Sequence, residues 1–156
     1  MKNLFVCSIF LFGFYSVSAQ SLSKNALGLR LGSNRGFGTE VSYQMKLNSE
    51  NRAEFNLGWR NSNYGNAIKL NGLYQWFWPI EHGFNWYAGV GGGLGSFSNN
   101  TNNSSTFVFA AGDIGIEYNF EFPLQASLDL RPEIGGNGYF ENNFGTDLAL
   151  SIRYKF

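Results

Sequence analysis

The residues best placed to do chemistry in this chain are charged and recur at strand-like spacing: Arg30, Glu40, Glu54, Arg60, Lys69, Asp113, Glu117, Asp129, Arg131, Asp147 and Arg153. Carboxylates in a polar interior serve as general acids or bases when burial or a like charge moves them from their ordinary ionisation. Here acids and bases are interspersed, and the turns predict which of them meet. If EFP is a tight turn with Phe120 opposite Leu124, Asp113 lies across from Arg131 and Glu117 across from Ser127. If Ser49-Glu50-Asn51 is a three-residue hairpin loop, Glu40 faces Arg60 and Lys46 faces Glu54. Each carboxylate then has a cationic neighbour, which predicts structural ion-pair networks and no catalytic residue.

Other chemistries find little support. The single histidine, His82, sits in PIEHG, a tight turn, and is expected to be a solvated rim residue rather than the base of a Ser-His hydrolase, which would need it at the opposite end within reach of a serine. One histidine and one cysteine, Cys7, give no transition-metal ligand set, and the acids in the longer loops are too few for calcium. GVGGGLG, residues 89–95, lacks the Lys-Ser/Thr of a phosphate-binding loop and opens no helix. Its alternating Gly89, Gly91 and Gly93 are expected to make room for long Arg or Tyr side chains, or to permit sharp curvature. No cofactor is expected.

The elements that must position the charges are strands. Eight segments alternate with a period of two: about 25–32, 37–47, 52–60, 67–78, 84–94, 107–120, 124–132 and 144–156. Pro79 is expected to end the fourth. In the last, Leu148, Leu150, Ile152, Tyr154 and Phe156 alternate with Ala149, Ser151, Arg153 and Lys155. Short connections (NSEN, PIEHG, EFP) follow segments two, four and six; longer ones rich in Asn, Ser and Gly follow three, five and seven, near 61–66, 96–106 and 134–143. An up-and-down meander puts these two sets at opposite ends.

Composition fits this reading. Aromatic residues make up 18% of the chain, with 20 Gly and only 3 Pro, a profile of strands and turns. The formal charge of +0 offers nothing to nucleic acid. Residues 1–19, MKNLFVCSIFLFGFYSVSA, have the layout of a secretory signal peptide: Lys2, an apolar stretch, then Val17-Ser18-Ala19. Cleavage after Ala19 leaves a domain of residues 20–156 and removes the only cysteine. Cys7 lies within the apolar run, which argues against a lipid anchor there.

Size and charge decide which face is inside. The strand charges fall on one face, and the other carries Leu, Ile, Val and large aromatics. An eight-stranded barrel encloses room for little more than its own side chains, so the bulky aromatic set must point outward. Strands of about 9–11 residues, tilted by about 45°, span a bilayer, and closure satisfies every backbone group there. In this arrangement Tyr43, Trp76, Trp78, Trp86, Tyr118, Phe120, Tyr154 and Phe156 collect at the rim of the tight turns as an aromatic girdle, with short turns on the periplasmic side.

The runs GDIGIEYNFEFPLQASLDLRPEIGG and FGTDLALSIRYKF resemble the C-terminal half of small outer-membrane β-barrel proteins of the Bacteroidota. More broadly the chain is similar to the eight-stranded class of outer membrane protein X and the OmpA transmembrane domain. The resemblance implies an outer-membrane location, insertion by the barrel-assembly machinery, and Tyr154 and Phe156 as the assembly signal. It implies no specific activity. The expectation is an all-β, eight-stranded antiparallel up-and-down transmembrane barrel, monomeric and non-enzymatic. Its role is structural or one of surface interaction through the loops, and its surroundings are outer-membrane lipid. A lipid A-modifying enzyme, or a small pore or hydrophobic-ligand carrier, are the alternatives.

Overall fold

Alternation assigns each strand face one chemistry, and eight amphipathic strands have a simple way to separate the two faces, which is to curl into a cylinder. The computed structural model describes residues 24–33, 37–63, 65–99, 104–135 and 141–156. The signal-peptide stretch and its cleavage site lie outside the described residues. The strands are β1 (Asn25–Ser33), β2 (Phe37–Lys46), β3 (Asn51–Ser62), β4 (Gly65–Glu81), β5 (Phe84–Asn99), β6 (Ser104–Asn119), β7 (Leu124–Gly135) and β8 (Phe144–Lys155). Each pairs antiparallel with the next, and β8 returns to β1 from Ala26↔Lys155 to Ser33↔Leu148, closing an eight-stranded barrel. Closure leaves no open sheet edge.

Several strand ends depart from the sequence reading. Pro79 does not end β4, which continues to Glu81 through a register shift between Pro79 and Glu81; an irregularity is where a strand accommodates a residue that cannot donate. Likewise β7 runs past Pro132 to Gly135, and the β6–β7 ladder skips the pairs of Gly112 and Asp113, opposite the proline. The segment 61–66 is mostly strand: β3 and β4 pair up to Ser62↔Gly65, leaving two residues between them. Outside an apolar layer, polar Asn and Ser extend a ladder as well as apolar residues do, because the pairing is made by the backbone.

The hairpin turns set the register. Leu47 N–H donates to the Asn51 carbonyl at 3.0 Å, so the β2–β3 loop is Asn48-Ser49-Glu50, one residue earlier than expected. Asn48 is the cause: its side-chain oxygen accepts the Glu50 and Asn51 backbone N–H groups, each at 2.9 Å, forming an Asx turn. Glu40 therefore pairs with Gly58, and Lys46 with Arg52, a shift of two that keeps every side chain on its face. At the β4–β5 turn His82 (φ 48) and Gly83 (φ 87) both occupy the left-handed region, as a primed two-residue hairpin requires. The EFP turn follows the expected register, with Glu117 opposite Ser127.

The lumen is layered. Ala67, Leu73, Phe107, Phe109 and Ala111 form a small apolar cluster inside, extending toward the end opposite the tight turns. Ionic side chains fill the middle. The β5 glycines answer this filling: a Cβ at Gly89 would meet Gln75, at Gly91 the β4 backbone at Leu73, and at Gly93 the Phe109 ring. The space is taken by Gln75, Phe109 and neighbouring backbone rather than by Arg or Tyr.

Candidate functional site

The inward charges converge on shared partners. Arg30 on β1 is fully buried, and its Nη1 donates to Glu40 of β2 at 3.0 Å and to Asp147 of β8 at 2.7 Å. Its Nε reaches Asp129 of β7 at 3.1 Å. Arg60 donates to the same Glu40 and Asp147, at 3.1 and 2.8 Å, so the Glu40–Arg60 contact survives the changed register as a diagonal one. Lys69 donates to Glu133 at 2.5 Å and lies 3.7 Å from Glu40.

A second cluster centres on Glu54. It accepts from Arg131 at 2.9 Å, Arg153 at 3.3 Å, Gln44 at 2.8 Å, Gln75 at 3.1 Å and Asn56 at 2.9 Å. Arg131 also lies 3.6 Å from Asp113, to which Gln75 donates as well. Arg153 donates to the hydroxyls of Ser42 and Ser127, at 2.9 and 2.8 Å. Nearer the tight turns, Glu117 accepts from Arg52 at 2.5 Å, Asn85 at 2.9 Å and Gln125 at 3.1 Å.

This arrangement holds charge. Each of the named carboxylates lies within ion-pair distance of a guanidinium or ammonium group, and the serines at the centre hydrogen-bond an arginine, not a base. Among the described residues no group of three His, Cys, Asp or Glu could hold a metal ion. His82 sits in the β4–β5 turn, exposed, its Nδ1 3.2 Å from Glu81. Burying so many charges is costly, and the Coulombic gain offsets that only where partners and hydrogen bonds are close to complete.

The outward face is the opposite of a soluble surface. Leu29, Leu57, Leu70, Val90, Ile114, Leu128, Leu150 and Ile152 are each about half exposed, and they belong to one belt that crosses every strand. Soluble monomers rarely expose a contiguous apolar patch larger than a few hundred Å². Compared with solved structures, the chain is similar to the N-terminal β-barrel domain of Pseudomonas aeruginosa OprF (TM-score 0.73, 12% identity, 86% of this chain and 98% of that one). It is also similar to a major outer membrane protein from Thermus thermophilus (TM-score 0.64, 15% identity, 87% and 100% covered). A de novo designed transmembrane β-barrel matches as well (TM-score 0.57, 16% identity, 89% and 100% covered). The fold is that of a transmembrane β-barrel. No protein-family model and no curated protein matches the chain.

On the barrel the expected girdle residues lie on the outward face near the tight turns. Trp78 pairs with Trp86, their rings stacked at 4.3 Å. Tyr118 packs edge-on to Phe120 at 4.7 Å. Trp76 is 38% exposed, Phe156 is 56% exposed, and Tyr43 and Tyr154 both pair with Leu27 across β1. The Tyr43 hydroxyl donates to Asn25 at 3.0 Å. Three further rings join this band: Tyr74, at 5.0 Å from Trp76, Phe84, at 4.6 Å from Tyr118, and Phe122, at 5.0 Å from Phe120.

Two lumen charges absent from the sequence-based set are Arg52 and Glu133, exposed by 5% and 0%. Both continue an alternation already visible, Arg52 ahead of Glu54 and Glu133 after Arg131. Glu133 is hidden behind Pro132, which reads as a strand end. Arg52 sits at a strand start, where alternation alone does not distinguish lumen from turn.

Proposed function

We propose that this chain is an integral outer-membrane protein without enzymatic activity, whose barrel is a rigid carrier for the structures at the rim opposite the tight turns. One observation carries the reading: a closed barrel with its ions inside and an apolar belt outside. The longer β7–β8 connection and the extended β5–β6 hairpin at one rim, against three tight connections at the other, support placing the tight-turn rim at the periplasm. The rim that faces outward then presents the extended β5–β6 hairpin and the connection from β7 to β8, and the role is structural or one of surface interaction. The interior ion pairs act as a packed structural core, and the aromatic rings as the interfacial girdle. The resemblance of residues 112–136 and 144–156 to Bacteroidota barrels supports this location.

The deciding experiment is fractionation combined with gel migration of boiled and unboiled samples. We expect recovery in the outer membrane and faster migration of the unboiled, folded barrel. Recovery in the soluble periplasm would overturn the reading.

Outer-membrane lipid and the barrel-insertion machinery are the partners we propose. Phe156 closes the seam: its N–H donates to the Asn25 carbonyl at 2.9 Å, and its carbonyl accepts from Asn25 at 3.1 Å. Those are backbone bonds, which Phe156→Ala keeps, so the ring itself is free to serve as the signal for insertion. Phe156→Ala is expected to reduce assembled barrel in cells several-fold while moving the unfolding midpoint of purified, folded protein only slightly. Equal yields from parent and variant would remove Phe156 from that role.

A further inference from the structure

The lumen is not filled uniformly, and its tight-turn end holds an unassigned cavity. Its volume is about 360 Å³, and it opens between the strand termini, with Arg52, Glu117 and Gln125 deep in its lining and Lys46, Lys155 and Phe77 around it. Charge is segregated between this space and the layer above. In the middle of the barrel Arg30, Arg60, Lys69, Arg131 and Arg153 meet Glu40, Glu54, Asp113, Asp129, Glu133 and Asp147, leaving no cationic excess. Around the cavity Lys46, Arg52 and Lys155 face a single carboxylate, Glu117, which Arg52 already holds.

Lys46 and Lys155 therefore have no carboxylate in ion-pair range among the described residues. Lys155 donates to the Asn119 side-chain oxygen at 3.3 Å, and Lys46 lies 5.7 Å from the centre of the Phe77 ring. Lys46 is moreover directly opposite Arg52 across the β2–β3 ladder. Like charges at facing positions are destabilising, more so beside a low-dielectric wall. The Arg52 guanidinium is held by Glu117 and lies over the Tyr87 ring, 4.7 Å from its centre, which fixes its charge at the cavity wall. A wall carrying an unfavourable cation pair and an unbalanced third cation is complementary to an anion.

We propose that this cavity binds a phosphate group. The excess of two positive charges, from Lys46 and Lys155, matches a phosphate monoester, which carries about −1.5 to −2 near neutral pH. Two ammonium groups give six N–H donors, of which five remain for its oxygens beside the Lys155 bond to Asn119, with the neighbouring carboxamides at hand. The group belongs either to a soluble phosphorylated molecule or to a phospholipid headgroup from the leaflet at this rim. Glu50, Glu81 and Glu121 stand in the turns around the mouth but are exposed, and salt screens them within about 8 Å.

The test uses the full-length processed barrel in uncharged maltoside micelles, titrated with inorganic phosphate and followed by 31P NMR. Saturable binding is expected, with Lys46→Gln and Lys155→Gln each weakening it and the double variant weakening it by about tenfold, the scale of one charge-assisted hydrogen bond. Unboiled gel migration checks that each variant is folded; both lysines lie at strand ends, where truncation spares the ladder. Repeating the titration in micelles doped with phosphatidic acid separates the sources: competition assigns the site to a headgroup, and unchanged binding assigns it to a soluble phosphate. No saturable binding by the parent, or parent-like binding by both single variants, would overturn the proposal.

Discussion

Replacing Leu150 with arginine is expected to lower the unfolding free energy of the barrel in phospholipid vesicles by about 2–4 kcal/mol, the cost of a guanidinium near the bilayer midplane. Leu150 is 53% exposed and lies on β8 between the ring of Tyr154 and Phe144 near the other end. Its neighbours across the two ladders, Leu31 and Leu128, belong to the same belt. On the surface of a water-soluble protein the same substitution would fall within about 0.5 kcal/mol of neutral, since no packed neighbour is lost. The size of the loss in vesicles is what distinguishes a lipid-facing leucine from a solvent-facing one. Reversible urea unfolding in vesicles measures it, and a change under about 0.5 kcal/mol would place Leu150 outside the hydrocarbon layer.

The second large effect lies inside. Arg30→Met should cost about 3–5 kcal/mol, because truncating one member of a buried ionic cluster leaves its partners uncompensated. Asp147 and Glu40 would retain Arg60, at 2.8 and 3.1 Å. Asp129 would be left with Arg131 at 4.0 Å, too far for a hydrogen bond. Adding Asp129→Asn removes the stranded charge and should recover part of the loss, which a simple packing defect would not allow. Because the cluster is buried, the loss should be nearly independent of salt. A salt-sensitive loss of less than about 1 kcal/mol would instead describe a wet lumen with solvated ions.

The chain displays its strands plainly because membrane and lumen impose opposite chemistries on adjacent residues. Leu148 to Phe156 is the clearest stretch, with Ser151 and Arg153 buried and Leu150 and Ile152 exposed. Strand ends are harder to read, because alternation reports on side chains while a ladder is made by the backbone. Hence Pro79 and Pro132 read as stops, although each is accommodated at a ladder irregularity. The register of β2 on β3 turns on the Asx turn at Asn48, which competes with other loops that NSEN could form. The set of inward charges is visible in the sequence, but most partnerships are not. Arg30 meets Asp129 at a sequence separation of 99, across the lumen, where pairing depends on strand tilt and stagger that no local pattern encodes. The tight-turn cavity is invisible for the same reason: Lys46, Arg52 and Lys155 look ordinary until three strand ends bring them together.

The pairing of the first strand with the last also sets a timetable. β1 and β8 are sealed by rungs such as Leu29↔Ile152, whose members lie far apart in the sequence. A chain made from its N-terminus cannot complete that seam until residues near 150 exist and have been delivered to the same place. Seven of the eight pairings join neighbours in sequence, but the closing one joins the two ends, and loop-closure entropy makes that final step slow. Until then two strands carry unpaired N–H and C=O groups, and the apolar stripe of each hairpin has no lipid to cover it. The vulnerable period of this molecule is the interval before closure, when its aggregation-prone edges are open together, and once closed it presents none.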